Sequence, residues 1–147
     1  VAVARCGVMG LDEERHRAVE RRMRRWRDAR GGEAPPPSSG RGRSALADLA
    51  ALTVTLVCDD ADVRIAESGD AVDALYDATL GGASAERLTP KRGGAAEEAL
   101  AASRSGRPLL IEDELPSPRR RIARLYLPLS NDDGSPDGVL CGVVALA

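Results

Sequence analysis

Apolar positions recur along the chain with two different periods, and each change of period marks a change of element. In LDEERHRAVERRMRRWRDAR (11–30), His16, Val19, Met23 and Trp26 fall at i, i+3, i+7 and i+10, one stripe of a helix that is otherwise charged. Asp12, Glu13 and Glu14 suit its N-terminal dipole, the arginines from Arg24 to Arg30 suit its C-terminal end, and Gly31–Gly32 stop it. EAPPPSSGRGR (33–43) breaks the composition and reads as a solvated linker. SALADLAAL (44–52) is a short helix with Ser44 as N-cap and Leu46, Leu49 and Leu52 on one side. TVTLVC (53–58) and VRIAES (63–68) read as two strands of a hairpin joined by the acidic turn DDAD (59–62).

Helical spacing returns in DAVDALYDATL (70–80), where Val72, Leu75, Tyr76 and Leu80 lie close to one face and Gly81–Gly82 end the element. A short helix around 84–88 follows, and after Pro90 and Gly93–Gly94 comes a third, AAEEALAASR (95–104), with little but alanine and Leu100 to bury. From residue 107 the period becomes two. RPLLIEDEL (107–115) is a strand. In RRRIARLYLPLS (119–130), Ala123, Leu125, Leu127 and Leu129 alternate with Ile122, Arg124 and Tyr126, which predicts one dry face. NDDGSPDG (131–138) is a turn, and VLCGVVALA (139–147), apolar on both sides, is a buried central strand.

Two strands, a helical middle and three further strands predict an α+β fold. The expectation is one five-stranded antiparallel sheet with helices on one face, preceded by an N-terminal helix. The division expected is a basic helix and linker over 1–43 and a core domain over 44–147. This order resembles a PAS domain. The resemblance is carried by the helix ending Trp26-Arg27-Asp28-Ala29-Arg30-Gly31-Gly32, by VRIAESGDAVDALYDATLGG (63–82), by Gly106-Arg107-Pro108, and by RLYLPLSNDDGSPDGVLCGVV (124–144). Together, over roughly residues 15–146, they are similar to a family of single-domain PAS-like proteins common in alphaproteobacteria. The family's Asp-Pro element and Gly-aromatic pair have no counterpart; the corresponding stretches here are SGRGRSALADL and Leu75-Tyr76-Asp77.

Composition narrows the function. The chain has 147 residues, no Phe, one Trp and two Tyr, so its core is thin and built largely on aliphatic residues and alanine. The net charge is −2, but it is divided: residues 1–43 carry +5 and residues 44–147 carry −7. No apolar run approaches membrane-spanning length and no signal-peptide pattern opens the chain, so a cytoplasmic protein is expected. Three widely spaced cysteines fit reduced thiols. Translation from Val1 and from Met9 are both compatible with the sequence.

Catalysis needs convergent acid, base or nucleophile groups, and the single histidine, His16, lies in the basic helix. Asp59-Asp60-Asp62 and Glu112-Asp113-Glu114 read as solvated charge rather than as metal ligands or an acid–base pair. No His/Cys spacing fits a metal centre. Cys58 and Cys141, on the first and last strands, form a redox pair only if they share a face and adjoin. The resemblance implies a non-enzymatic sensory or regulatory module acting through a protein partner or a second copy, with a small molecule, its identity unknown, gating it from a pocket between sheet and helices. Candidates for that pocket are Leu75, Tyr76, Leu100, Ile111, Leu125, Leu127 and Val143. Val19, Met23 and Trp26 are the candidate partner-binding residues, docking on the core or pairing with a second copy as a homodimer. The rival is a regulator that binds nucleic acid or anionic membrane through Arg15, Arg17, Arg21, Arg22, Arg24, Arg25, Arg27 and Arg30; lack of interleaved aromatics weighs against nucleic acid.

Overall fold

The structure is a computed structural model, and it describes residues 2–3, 21–28, 53–59, 62–89, 94–116, 119–130 and 135–146. In chain order these form strand β1 (Ala2–Val3), helix α1 (residues 21–28), β2 (Thr53–Asp59), β3 (Asp62–Ser68), α2 (Asp70–Tyr76), a 3-10 turn (Ala85–Leu88), α3 (Gly94–Ser105), β4 (Leu109–Pro116), β5 (Arg119–Ser130) and β6 (Pro136–Leu146). The expected helix over 44–52 and the linker over 33–43 lie outside the described residues.

Five strands form one antiparallel layer in the order β4-β5-β6-β2-β3, and β1 adds to the outer edge of β4 in parallel. The chain's first hairpin therefore meets its last strand: Thr53 pairs with Gly142 and Leu56 with Val139, which puts β6 in the middle of the sheet. This is the α+β arrangement the pattern predicts, and its strand order is consistent with a PAS-like sheet. At the far edge, β3 is covered by the loop after α2, where the Ile65 amide donates to Ala83 O (2.8 Å) and the Gly82 amide to Ile65 O (2.7 Å). No helix among the described residues is long and apolar enough to cross a membrane.

Period two gives each strand an inner and an outer face. Ile111, Leu115, Ile122, Tyr126, Val139, Cys141 and Val143 point inward, where α2, the 3-10 turn and α3 pack. Leu110, Ala123, Leu125, Leu127, Leu129 and Leu140 point outward, where α1 brings Met23 and Trp26. Consequently β5 is buried without a break from Ile122 to Ser130. The expectation of a single dry face is corrected: the Ile122–Arg124–Tyr126 side is as dry as the other, because helices cover both.

Helix α2 also departs from the pattern, ending at Tyr76 rather than Leu80. Asp77 takes a left-handed conformation (φ 50°), and the Asp73 carboxylate accepts from the Leu80 amide at 3.1 Å. On α3, Ala95, Ala99 and Ala102 are fully buried at i, i+4 and i+7. Their small size lets the helix lie close on β5 and β6.

Two glycines in β6 are required by contacts. Gly138 has φ +87°, and a Cβ there would lie 2.7 Å from the Leu56 carbonyl oxygen. A Cβ at Gly142 would lie 2.8 Å from Cδ of Arg22, whose side chain crosses the strand at that point.

Candidate functional site

Arg124 is fully buried on the inner face of β5, facing α3. Burying a guanidinium is tolerable only when every donor finds an acceptor, preferably charged. Nε donates to the Tyr126 hydroxyl (3.0 Å), and the two terminal nitrogens reach both strands and helices. NH1 donates to Asp113 Oδ2 on β4 (3.0 Å) and to the Leu88 carbonyl (3.4 Å). NH2 donates to Glu98 on α3, at 3.1 Å to Oε2 and 3.4 Å to Oε1. Period two places Tyr126 two residues along the same face, so its hydroxyl accepts from Arg124 and donates to Glu98 Oε2 at 2.6 Å. The Thr89 hydroxyl donates to Asp113 Oδ2 (2.6 Å), and the Tyr76 hydroxyl donates to the Leu88 carbonyl (2.7 Å).

The result is one cationic group tied to two carboxylates, two phenols and a threonine, drawn from α2, α3, β4, β5 and the 3-10 turn. Burial opposes the charge on Arg124, but Tyr126 and Glu98 outweigh it and hold the guanidinium firmly protonated. Burial pushes Asp113 up, yet the Thr89 hydroxyl, the Glu114 amide and Arg124 together bring its carboxyl below the ordinary value. Burial pushes the Tyr76 and Tyr126 phenols above theirs, against the pull of Arg124. All these shifts run away from neutral pH. General acid–base work asks for the opposite. Arg124 and Asp113 are held charged and the two phenols protonated, so the cluster fixes charge and geometry.

On the opposite face of the same strand, the Trp26 indole Nε1 donates to the Pro128 carbonyl oxygen at 2.8 Å in a buried contact. Met23 and Trp26 are each 2% exposed. Arg22 is buried beside them, and desolvation lowers its pKa, reinforced by Arg21 and opposed by Cys141.

No family model, curated protein or solved structure matches the chain.

Of the pocket candidates, Ile111 and Val143 are buried in the inner core and Leu75, Tyr76 and Leu100 pack against that core. Leu125 and Leu127 are corrected. Being odd-numbered on β5, they point outward to Met23 and Trp26 and cannot line an inner site. Of the two placements expected for Met23 and Trp26, docking on the core or pairing with a second copy, the structure has them docked on the chain's own sheet. Val19 lies outside the described residues. Asp113, read as solvated, is turned inward by the phase of β4, whereas Glu114 is exposed and pairs with Arg119.

Cys58 and Cys141 are both free. They share the inner face, but Cys141 sits opposite Val54, four residues along β2 from Cys58. At ~3.3 Å per residue that offset is about 13 Å, far beyond disulfide reach. Burial, opposed by Arg124, pushes the Cys141 thiol up to about 12. No group of His, Cys, Asp and Glu among the described residues is placed to hold a metal ion.

Proposed function

We propose that this chain is a cytoplasmic, non-enzymatic regulatory module of PAS-like type, whose inner polar cluster responds to a small molecule and whose output passes through α1 to a protein partner. The observation that supports this reading is the division of labour on β5. Arg124 and Tyr126 belong to the inner cluster, while Leu125, Leu127 and the Pro128 carbonyl hold α1 on the outside. A shift or rotation of β5 that re-forms the bonds of Arg124 therefore moves the seat of Trp26. Interiors packed to this density transmit such displacements rather than absorb them.

The chemistry of the cluster names the kind of signal. Glu98 and Asp113 already occupy Arg124. An incoming carboxylate or similar anion would compete with them, and a ligand gains leverage only from its different affinity for the two arrangements.

Trp26 is the only tryptophan, so its emission reports the outer face alone. Replacing Glu98 with Gln keeps the shape of the inner cluster and removes one charge. Under the proposal it shifts Trp26 emission to the red in the folded protein. Unchanged emission, with the cluster perturbed and the fold intact, would rule the coupling out.

The nucleic-acid or membrane reading has less support. Met23 and Trp26, the apolar residues α1 would insert into lipid, are turned onto the sheet.

A further inference from the structure

Glu98 and Asp113 share Arg124, but they are held by unequal means. Asp113 belongs to the sheet, on β4. Besides Arg124 NH1 (3.0 Å), its carboxylate accepts from the Thr89 hydroxyl at 2.6 Å and from the Glu114 amide at 2.8 Å. Glu98 is carried on α3, and among the described residues its carboxylate accepts from Arg124 NH2 and the Tyr126 hydroxyl alone. Its side chain is 17% exposed, whereas that of Arg124 is fully buried. Both donors that hold Glu98 therefore sit on β5 and stay in place when the glutamate swings out, and the side on which Glu98 meets solvent is a way in to them.

We propose that the seat of Glu98 is a binding site for a small monocarboxylate, with Glu98 as its resident stand-in. The inference rests on the regulatory reading above and deepens it by naming the ligand class and the group that gives way. Shape, charge and size select a monocarboxylate. Arg124 NH2 reaches both oxygens, at 3.1 and 3.4 Å, and Tyr126 donates to the nearer one, so the seat is built for a planar pair of oxygens. Exchanging one carboxylate for another leaves the charge of the cluster unchanged. A phosphate dianion brings a second negative charge towards Asp113, and a neutral ligand leaves Arg124 short of one. Either imbalance is costly beside a fully buried guanidinium. Size is limited by α3. Ala95 and Ala102, one turn to either side of Glu98, are both buried, so the tail of the ligand is confined to the space that the Glu98 side chain itself takes up.

Glu98→Ala removes one methylene and the carboxylate, the outline of acetate. The test is therefore rescue of this variant by sodium acetate, read as the melting temperature of the full chain near neutral pH. Each shift is taken relative to the parent chain in the same salt, which cancels general salt effects. E98A is expected to melt roughly 5 °C or more below the parent. Acetate should restore about half or more of that loss, with a saturating dependence on concentration. Sodium chloride, sodium phosphate and neutral acetamide at matched concentration should restore little. E98A/Y126F should need roughly tenfold more acetate, because one donor to the bound carboxylate is gone. Absence of rescue, an E98A chain that stays unfolded in acetate, equal rescue by chloride, phosphate or acetamide, or an unchanged acetate requirement in E98A/Y126F overturns the inference. Rescue needs no movement of α1, and the Trp26 emission of the Glu98→Gln variant needs no ligand, so either reading can fail while the other stands.

Discussion

The Trp26 indole and the Pro128 carbonyl are joined by a buried 2.8 Å hydrogen bond across 102 residues of sequence. The acceptor lies where the register of β5 against β6 shifts, between Pro128 and Ser130. The bond fixes where α1 sits, and the ring packs with Met23 in the outer apolar cluster. Trp26→Phe should cost about 1 kcal/mol beyond the change in packing, because the Pro128 acceptor loses its donor. Trp26→Ala should cost about 3–5 kcal/mol. Urea unfolding followed by circular dichroism checks both, since the fluorophore itself is removed.

Arg124 is the group whose loss should be felt most. Arg124→Met strands Glu98 and Asp113 against a low-dielectric interior, and removing one partner of a buried ion pair costs about 3–5 kcal/mol. That is a large part of the ~5–15 kcal/mol that holds a domain of this size together. Arg124→Lys should recover little, because one ammonium cannot span Tyr126, Leu88, Asp113 and Glu98. The double variant Arg124→Met/Glu98→Gln should be more stable than Arg124→Met alone, since one stranded charge is gone. Denaturant midpoints rank the three.

The pH dependence follows from groups of opposite sense. Asp113 is held below its ordinary 3.8, so the folded protein binds fewer protons there than the unfolded chain. Its contribution is present above about pH 4 and is lost as pH falls through the folded value. Burial, opposed chiefly by Arg124, lifts Cys141 from 9.0 to about 12, so the folded state keeps a proton that the unfolded state releases. That contribution is complete below pH 9 and is lost as pH rises towards 12, at no more than about 1.4 kcal/mol per pH unit. Tyr76 and Tyr126 add to the alkaline loss above pH 10. A plateau between about pH 4 and 9 is expected in melting temperature. Cys141→Ala should make the alkaline fall shallower without abolishing it above pH 9, because burial also raises the Cys58 thiol.

Gly138 and Gly142 should differ in kind. Gly138→Ala meets the Leu56 carbonyl at 2.7 Å and carries a φ of +87°, so backbone must move; about 2 kcal/mol or more of destabilisation is expected, spread across β2 and β6. Gly142→Ala meets the Arg22 side chain, which can be expelled. Its cost should be smaller and should appear as loosened α1, read by Trp26 emission, with the β2–β6 pairing retained.

The strands were legible because period two and the turn formers around them are local properties of the chain. All five appear within a few residues of their expected bounds, and the strand that holds the last apolar run, β6 (Pro136–Leu146), sits in the centre of the sheet. The extent of α2 was not legible, because it is set by the Asp73 carboxylate reaching the Leu80 amide, a contact hydropathy does not register. The inner cluster escapes the sequence for a different reason: Asp113 reads as solvated charge, Arg124 falls on the face opposite the dry one, and the helix over 95–104 offers little but alanine and Leu100 to bury. Phase held the missing signal. Leu109, Ile111 and Leu115 put Asp113 on the inner side of β4, and the stripe Ala95, Ala99, Ala102 includes position 98 but not 97. Tyr76 was picked for its size and helical phase, and it is the one polar member of the cluster that sequence reasoning named.

The most direct test of the central claim, that β5 couples its two faces, is amide hydrogen exchange of the full chain with and without Glu98→Gln. Among the described residues, the side-chain hydrogen bonds of Glu98 all go to the inner cluster, to Arg124 and Tyr126. Coupling predicts faster exchange in residues 21–28, on the other side of the sheet, while the amides of β2 and β3 keep their protection. Exchange in residues 21–28 identical to that of the parent protein, alongside faster exchange in α3, would contradict it.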